Sequence, residues 1–237
     1  MSGIELIVNP NAPTRVFQRP EAGEAYSIGI DTSTGVGQDW TVFQVFTNRM
    51  PFTQVATFRA KLSVVDAAEA ANLLGLWYNE ALITCETNFP GNAVQDALVL
   101  QYRYPHNYQA EEHLDEDPNV SCKFGFKTTQ ASKWLLIREF EEELKAGNII
   151  LRDKQTIDEF MTYVYIEDRS KTGAVQGMND DTVIAAMLAL HGCRLFPERP
   201  KRKKVEKPSE ENAQQRALMK KFMDSIQRPV GKKKIIL

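Results

Sequence analysis

The sequence has few of the residues on which soluble metal and redox centres most often depend. Its 237 residues include three cysteines and three histidines. Cys85, Cys122 and Cys193 stand far apart without Cys-x-x-Cys spacing, which argues against a disulfide framework, a zinc ribbon or a thioredoxin-type pair. All three read as reduced, buried thiols. His106, His113 and His191 offer neither a histidine-rich metal centre nor the local signature of a Ser/His/Asp triad. No apolar run reaches membrane-spanning length, and the amino terminus lacks the basic-then-apolar pattern of a secretory signal, so a cytosolic chain is expected. A Gly-x-x-x-x-Gly-Lys-Ser/Thr loop is also missing, and ATP hydrolysis is therefore not assigned to these residues.

Carboxylates, by contrast, are placed with regularity. Asp31 follows Tyr26-Ser27-Ile28-Gly29-Ile30, Glu86 follows Ala81-Leu82-Ile83-Thr84-Cys85, and Asp180-Asp181 opens the apolar run Val183 to Leu190. Short runs rich in β-branched and apolar residues read as central strands, whose carboxyl ends are common places for a site. Several carboxylates gathered together repel unless a cation neutralises them, and hard oxygen donors suit Mg²⁺ or Mn²⁺. A single acid at a strand end is usually only solvated, and an acidic pair in the first turn of a helix is stabilised by the helix dipole without any metal. Three such positions together favour a site.

The net charge of −2 hides an asymmetry. Residues 197–237 hold 13 Lys/Arg against 5 Asp/Glu, leaving 16 against 26 in residues 1–196. A basic tail on an acidic body is a pattern for contact with polyanions, weakening as salt rises, or alternatively a solubilising end. Within it, Ala213, Ala217, Leu218, Phe222 and Ile226 recur at helical spacing.

The length suits one sizeable domain with appendages. Residues 1–24, with Pro10, Pro13 and Pro20, read as a lead-in or linker, residues 25–195 as the folded body, and residues 196–237 as the tail. Strands are expected at Tyr26 to Asp31, Thr41 to Thr47, Gln54 to Phe58, Ala81 to Cys85, Ile149 to Leu151 and Tyr163 to Ile166, with another near Tyr104 to Tyr108. Helices are expected at Val64 to Asn79, from an Asn92 cap to Tyr102, at Ser132 to Lys145 with Gly147 at its end, from a Thr156 capping box, and from Asn179 or Asp180 to Leu195. The acidic stretch Glu111 to Pro118 reads as a loop or hairpin tip, and Ser170 to Gly177 as a loop or flap.

These motifs, in their order, resemble the nuclease domain of the large terminase subunit of tailed bacteriophages. Ile28-Gly29-Ile30-Asp31 with Gly35-Val36-Gly37-Gln38-Asp39 is similar to that family's first acidic motif. Glu86-Thr87-Asn88-Phe89-Pro90-Gly91 resembles the second, and Gly177-Met178-Asn179-Asp180-Asp181-Thr182 the third. Gly125-Phe126-Lys127-Thr128-Thr129 with Lys133 and Gly147-Asn148-Ile149 resembles the stretch between them. The resemblance implies an α/β fold, an RNase H-like mixed central sheet flanked by helices, with room for a hairpin insertion.

It further implies a metal-dependent endonuclease of viral DNA packaging that cuts concatemeric double-stranded DNA by two-metal phosphodiester hydrolysis. Asp31 is then the ligand shared by two Mg²⁺ or Mn²⁺ ions, with Glu86 serving one and Asp181 or Asp180 the other. Asp39 is a weaker candidate, Asn88 orients Glu86 or a phosphate, and Lys127, Lys133 and Lys171 are candidate DNA contacts. The implied partners are double-stranded DNA, a packaging ATPase domain missing from these residues, the small terminase subunit and the portal, in the cytoplasm of an infected bacterial host and without a membrane. The rival readings are another RNase H-like nuclease such as a Holliday-junction resolvase or a transposase, a sugar-kinase or actin-like ATPase suggested by Gly29 to Gly35, and a non-catalytic DNA-binding or assembly module.

Overall fold

Alternation along Tyr26–Asp31 decides how the molecule is layered. Tyr26, Ile28 and Ile30 pack into one core, whereas Ser27, Gly29 and Asp31 look to the opposite face, as the period of two in a strand requires. The computed structural model describes residues 13–33, 40–110, 123–166, 171–174 and 180–196. Its strands are β1 (Thr14–Val16), β2 (Tyr26–Asp31), β3 (Thr41–Thr47), β4 (Phe52–Ala60), β5 (Leu82–Cys85), β6 (Gln109–Ala110), β7 (Lys123–Phe124), β8 (Ile149–Ile150), β9 (Tyr163–Ile166) and β10 (Lys171–Ala174). Its α-helices are α1 (Val64–Trp77), α2 (Gly91–Asp96), α3 (Gln130–Lys145), α4 (Lys154–Thr162) and α5 (Asp181–Leu195).

The central sheet runs in the order β1, β4, β3, β2, β5, with β8 also pairing with β4. The β2-β3-β4 meander is antiparallel, whereas β5 lies parallel to β2 after the crossover through α1. On one face α1 supplies Ala67, Ala68, Ala71 and Leu74 against Ile28, Ile30, Phe43 and Phe58. On the other, α3 and α5 bring Leu136, Phe140, Met187 and Leu188 against Phe46 and Phe52. The small side chains of α5 explain how closely it lies on β2. A β-carbon on Gly29 would fall 2.0 Å from the Ala185 carbonyl oxygen, and one on Gly192 would be 3.2 Å from Ser27 Oγ.

The boundaries of β2, β3 and β9 match the sequence reading, and several others shift for local reasons. Thr14–Val16, inside the expected lead-in, pairs antiparallel with β4 and adds an edge strand. The helix expected from an Asn92 cap instead begins at Gly91, with Pro90 in the cap position and no side-chain cap bond. It then loosens into a π-helical turn, Ala97–Gln101, closed by the Tyr102 N–H to the Ala97 carbonyl. The strand expected near Tyr104 to Tyr108 is an irregular edge, bonded to β5 through the Ile83 N–H to His106 and the Tyr108 N–H to Ile83, with β6 only afterwards. Thr156 does not cap α4. Asp153 does, because its Oδ2 accepts the Thr156 N–H at 2.9 Å while Arg15 holds its other oxygen at 2.8 Å. A Thr129/Ser132 capping box starts α3 two residues before the expected Ser132.

Antiparallel β6 and β7 flank the acidic stretch, and antiparallel β9 and β10 form a second ribbon. The tip 111–118, the glycine turn with Asp39, Cys122, His113 and the basic tail lie outside the described residues. Cys85 and Cys193 are free and buried, and burial pushes the Cys193 thiol up to about 12. Among the described residues, no helix is long and apolar enough to cross a membrane.

Candidate functional site

Parallel pairing of β2 with β5 sets Ile30 beside Cys85, so the next residue of each strand is an acid. The Glu86 N–H donates to the Ile30 carbonyl at 2.9 Å and locks the second acid to the end of the central strand. Its own carbonyl is covered by Gly91, where an added β-carbon would lie 1.8 Å away, so only glycine fits at the start of α2. Asn88 then steadies the side chain: its Nδ2 donates to Glu86 Oε1 at 3.2 Å and to the Thr128 carbonyl at 2.9 Å.

The third acidic segment arrives with α5. Gly192 lies by Ser27 and Ala185 by Gly29, so the helix runs back along β2 and sets its amino terminus at the end where Asp31 stands. Asp180 occupies the N-cap position without a side-chain cap bond, and Asp181 lies in the first turn. The capping is done from elsewhere. Buried Glu159 of α4 accepts the Thr182 N–H at 3.0 Å and also the Thr182 hydroxyl, which frees the two aspartates from that task.

Glu86, Asp180 and Asp181 thus all come close enough to Asp31 to act on its carboxyl. Although Asp31 retains some exposure, desolvation pushes its carboxyl well above the usual carboxylate range, and Glu86, Asp181 and Asp180 raise it further. Of the three, Glu86 acts on Asp31 most strongly. Among the described residues no three acidic, His or Cys side chains close into a formed ion cage.

One cation already stands nearby. Lys133 Nζ is 3.8 Å from Asp180 Oδ2 and 5.7 Å from the centre of the Tyr163 ring. Two like charges about 4 Å apart at an effective dielectric near 20 repel by about 4 kcal/mol. A single lysine therefore leaves most of the acidic charge uncompensated. An all-oxygen set with this charge fits a hard divalent ion, which Asp31, Glu86 and the Asp180/Asp181 pair would hold. Lys127, exposed on the loop after β7, follows Phe126, whose carbonyl accepts the Thr87 N–H at 2.8 Å, so it borders the Glu86 loop. Lys171 opens β10, and its side chain lies outside the described residues.

One contribution was not legible in the sequence. Glu159 reaches Thr182 across 23 residues, and nothing in Ile157-Asp158-Glu159-Phe160 marks it as a cap for a different helix.

No protein-family model matches the sequence, and no curated protein matches it. Solved structures do resemble it in fold. The large terminase nuclease from thermophilic phage G20c, with bound cobalt, superposes with a TM-score of 0.61 at 19% identity, covering 76% of this chain and 88% of that one. The same nuclease with bound magnesium gives 0.60 at 19% identity, with the same coverage of 76% and 88%. The large terminase nuclease domain of Thermus phage P74-26 gives 0.57 at 19% identity, covering 78% and 88%. This chain has the fold of large terminase nuclease domains, an RNase H-like mixed sheet with helices on both faces.

Proposed function

We propose that the chain is a metal-dependent endodeoxyribonuclease that cuts double-stranded DNA for a viral packaging terminase. One observation carries the reading: Glu86, Asp180 and Asp181, from segments far apart in sequence, all act on the Asp31 carboxyl at the end of the central strand, in a fold shared with terminase nucleases. The resemblance of the three acidic motifs supports the same assignment. The magnesium and cobalt bound to the G20c nuclease support a divalent-ion site here, read as two Mg²⁺ or Mn²⁺ ions.

Bound divalent ions would lower the pKa of a water molecule to give a nucleophile and would stabilise the departing alkoxide. The chain's own residues set the conditions. Asp31, at the end of the buried central strand, offers a rigid carboxylate between the other two ligands. Glu86 is oriented by Asn88, and the Asp180/Asp181 pair is oriented by the docking of α5. Lys133 balances part of the charge and is placed to meet a phosphate oxygen drawn toward Asp180. Phosphate contacts and the delivery of DNA are expected to govern cleavage, with weak sequence preference.

The test is cleavage of supercoiled plasmid and of a branched junction by the full chain with Mg²⁺, Mn²⁺ or chelator, alongside Asp31→Ala. Metal-dependent plasmid cleavage lost in the variant supports the assignment. Strong preference for the junction would transfer it to a resolvase, and cleavage that persists in chelator or in Asp31→Ala would overturn it.

A further inference from the structure

Phe89 stands three residues from Glu86 with 81% of its surface in solvent. A lone exposed ring carries no meaning by itself, and what distinguishes this one is how firmly it is mounted. It occupies a corner of the four-residue turn Asn88 to Gly91, closed by the Gly91 N–H to the Asn88 carbonyl at 2.6 Å. Both ends of that turn are pinned to Glu86. Asn88 Nδ2 donates to Glu86 Oε1 at 3.2 Å and to the Thr128 carbonyl at 2.9 Å. Gly91 packs so closely on the Glu86 carbonyl that an added β-carbon would lie 1.8 Å from its oxygen. Pro90 between them is buried, and its ring restricts φ. The phenyl ring is thus presented outward on a rigid mount, its α-carbon at most about 11 Å from that of Glu86.

A cation belongs to the same mount. Lys127 is exposed one residue before Thr128, whose carbonyl holds Asn88. Its other neighbour, Phe126, is bonded through its backbone to Cys85 at 2.7 Å and to Thr87 at 2.8 Å. An apolar ring within about three base-pair rises of Glu86, with a lysine beside it, matches a polymer that carries anionic phosphate next to flat apolar faces. Duplex DNA has both, but stacking covers its base faces. A ring projected beside a held phosphate reaches them by entering a base step, at a cost in unstacking of the same order as the stacking it gains. The identity of the step then decides the balance, because pyrimidine–purine steps open most readily.

We propose that Phe89 is a wedge that enters the base step beside the phosphate held at the acidic cluster, and that it thereby sets where duplex DNA is cut. The inference rests on the nuclease reading for the presence of that phosphate. Cleavage then favours TA and CA/TG steps over stiffer ones by up to about 15-fold, the ratio that spans the stacking free energies of different base steps. This is selection by deformability, without readout of base edges.

Two measurements on the full chain test it. Sequencing of the ends cut from plasmid in Mg²⁺ or Mn²⁺ gives the step preference. Duplexes with 2-aminopurine at repeated TA steps, bound in Ca²⁺, report unstacking as a rise in fluorescence. Phe89→Ala is expected to cut all steps in proportion to their frequency and to abolish the fluorescence rise, whereas Phe89→Trp keeps both. The side chain is exposed, so neither variant removes a packed group, and a merely structural role would move neither the cleavage map nor the fluorescence. If the wild type cuts plasmid with metal but its map and fluorescence match those of Phe89→Ala, the wedge proposal falls, the nuclease reading stands and the ring is left to a protein partner. If no metal-dependent cleavage occurs while the wild type raises the fluorescence and Phe89→Ala does not, the nuclease reading falls and the wedge stands as a DNA contact.

Discussion

Gly29 and Ala185 lie so close that a single methyl group on the glycine would sit 2.0 Å from the alanine's carbonyl oxygen. This contact holds α5 against β2 and thereby fixes the distance between Asp31 and Asp181. The obstacle is backbone, which cannot rotate away as a side chain would. Gly29→Ala is therefore expected to cost at least the upper part of the about 1–3 kcal/mol typical of overpacking. Thermal melting checks it, and an unchanged melting temperature would show that α5 is not seated this tightly.

Asp31→Asn separates stability from catalysis. Burial, followed by Glu86, Asp181 and Asp180, raises the folded Asp31 carboxyl well above its ordinary value of 3.8. The folded, metal-free chain thus holds this proton more tightly than the unfolded chain does. The associated stability is full below the unfolded pKa and is lost as pH rises through the folded one. In chelator, the wild-type melting temperature should fall relative to Asp31→Asn as pH rises from the ordinary carboxylate value of 3.8 through the raised folded one, because the variant carries no such titration. The variant should be the more stable at the upper end and inactive throughout. Parallel pH profiles for the two proteins would contradict the crowding of carboxylates around Asp31.

Asn88→Ala removes the amide that bridges Glu86 Oε1 and the Thr128 carbonyl. Groups that orient a ligand of this kind typically account for about 10–100-fold in metal affinity or activity. The expected result is a higher Mg²⁺ or Mn²⁺ requirement for plasmid cleavage at nearly unchanged melting temperature. Wild-type metal dependence would show that Glu86 is held without it.

Glu159→Ala strips the Thr182 N–H and hydroxyl of their buried acceptor. Leaving such donors unmet costs about 1–3 kcal/mol. At about 2–4 °C per kcal/mol for a chain of this size, the melting temperature should drop by roughly 2–12 °C. The metal requirement should rise as well, because the first turn of α5 carries Asp181. Loss of stability without any change in metal dependence would confine Glu159 to a packing role.

The parts of the molecule legible in sequence were those set by local pattern. Asp31 and Glu86 end runs whose composition alone marks them as central strands, and Asp180-Asp181 precedes a run too long and apolar to be anything but a buried helix. Features decided by distant partners were not legible. Thr14-Arg15-Val16 has little apolar character and becomes a strand only because β4 offers an open edge. Asp153 displaces Thr156 as the cap of α4 because Arg15, 138 residues away, shares its carboxylate. The start of α2 at Gly91 depends on a close approach to Glu86, and neither that nor the π-helical turn after it is encoded by helix propensity.

Because the acids come from opposite ends of the folded body, synthesis itself imposes an order of events. A ribosome releases Asp31 and Glu86 well before residue 181, and until the last helix has settled along the central strand the emerging polypeptide lacks one wall of its pocket. Under the proposed reading, products truncated ahead of that helix should not cut DNA.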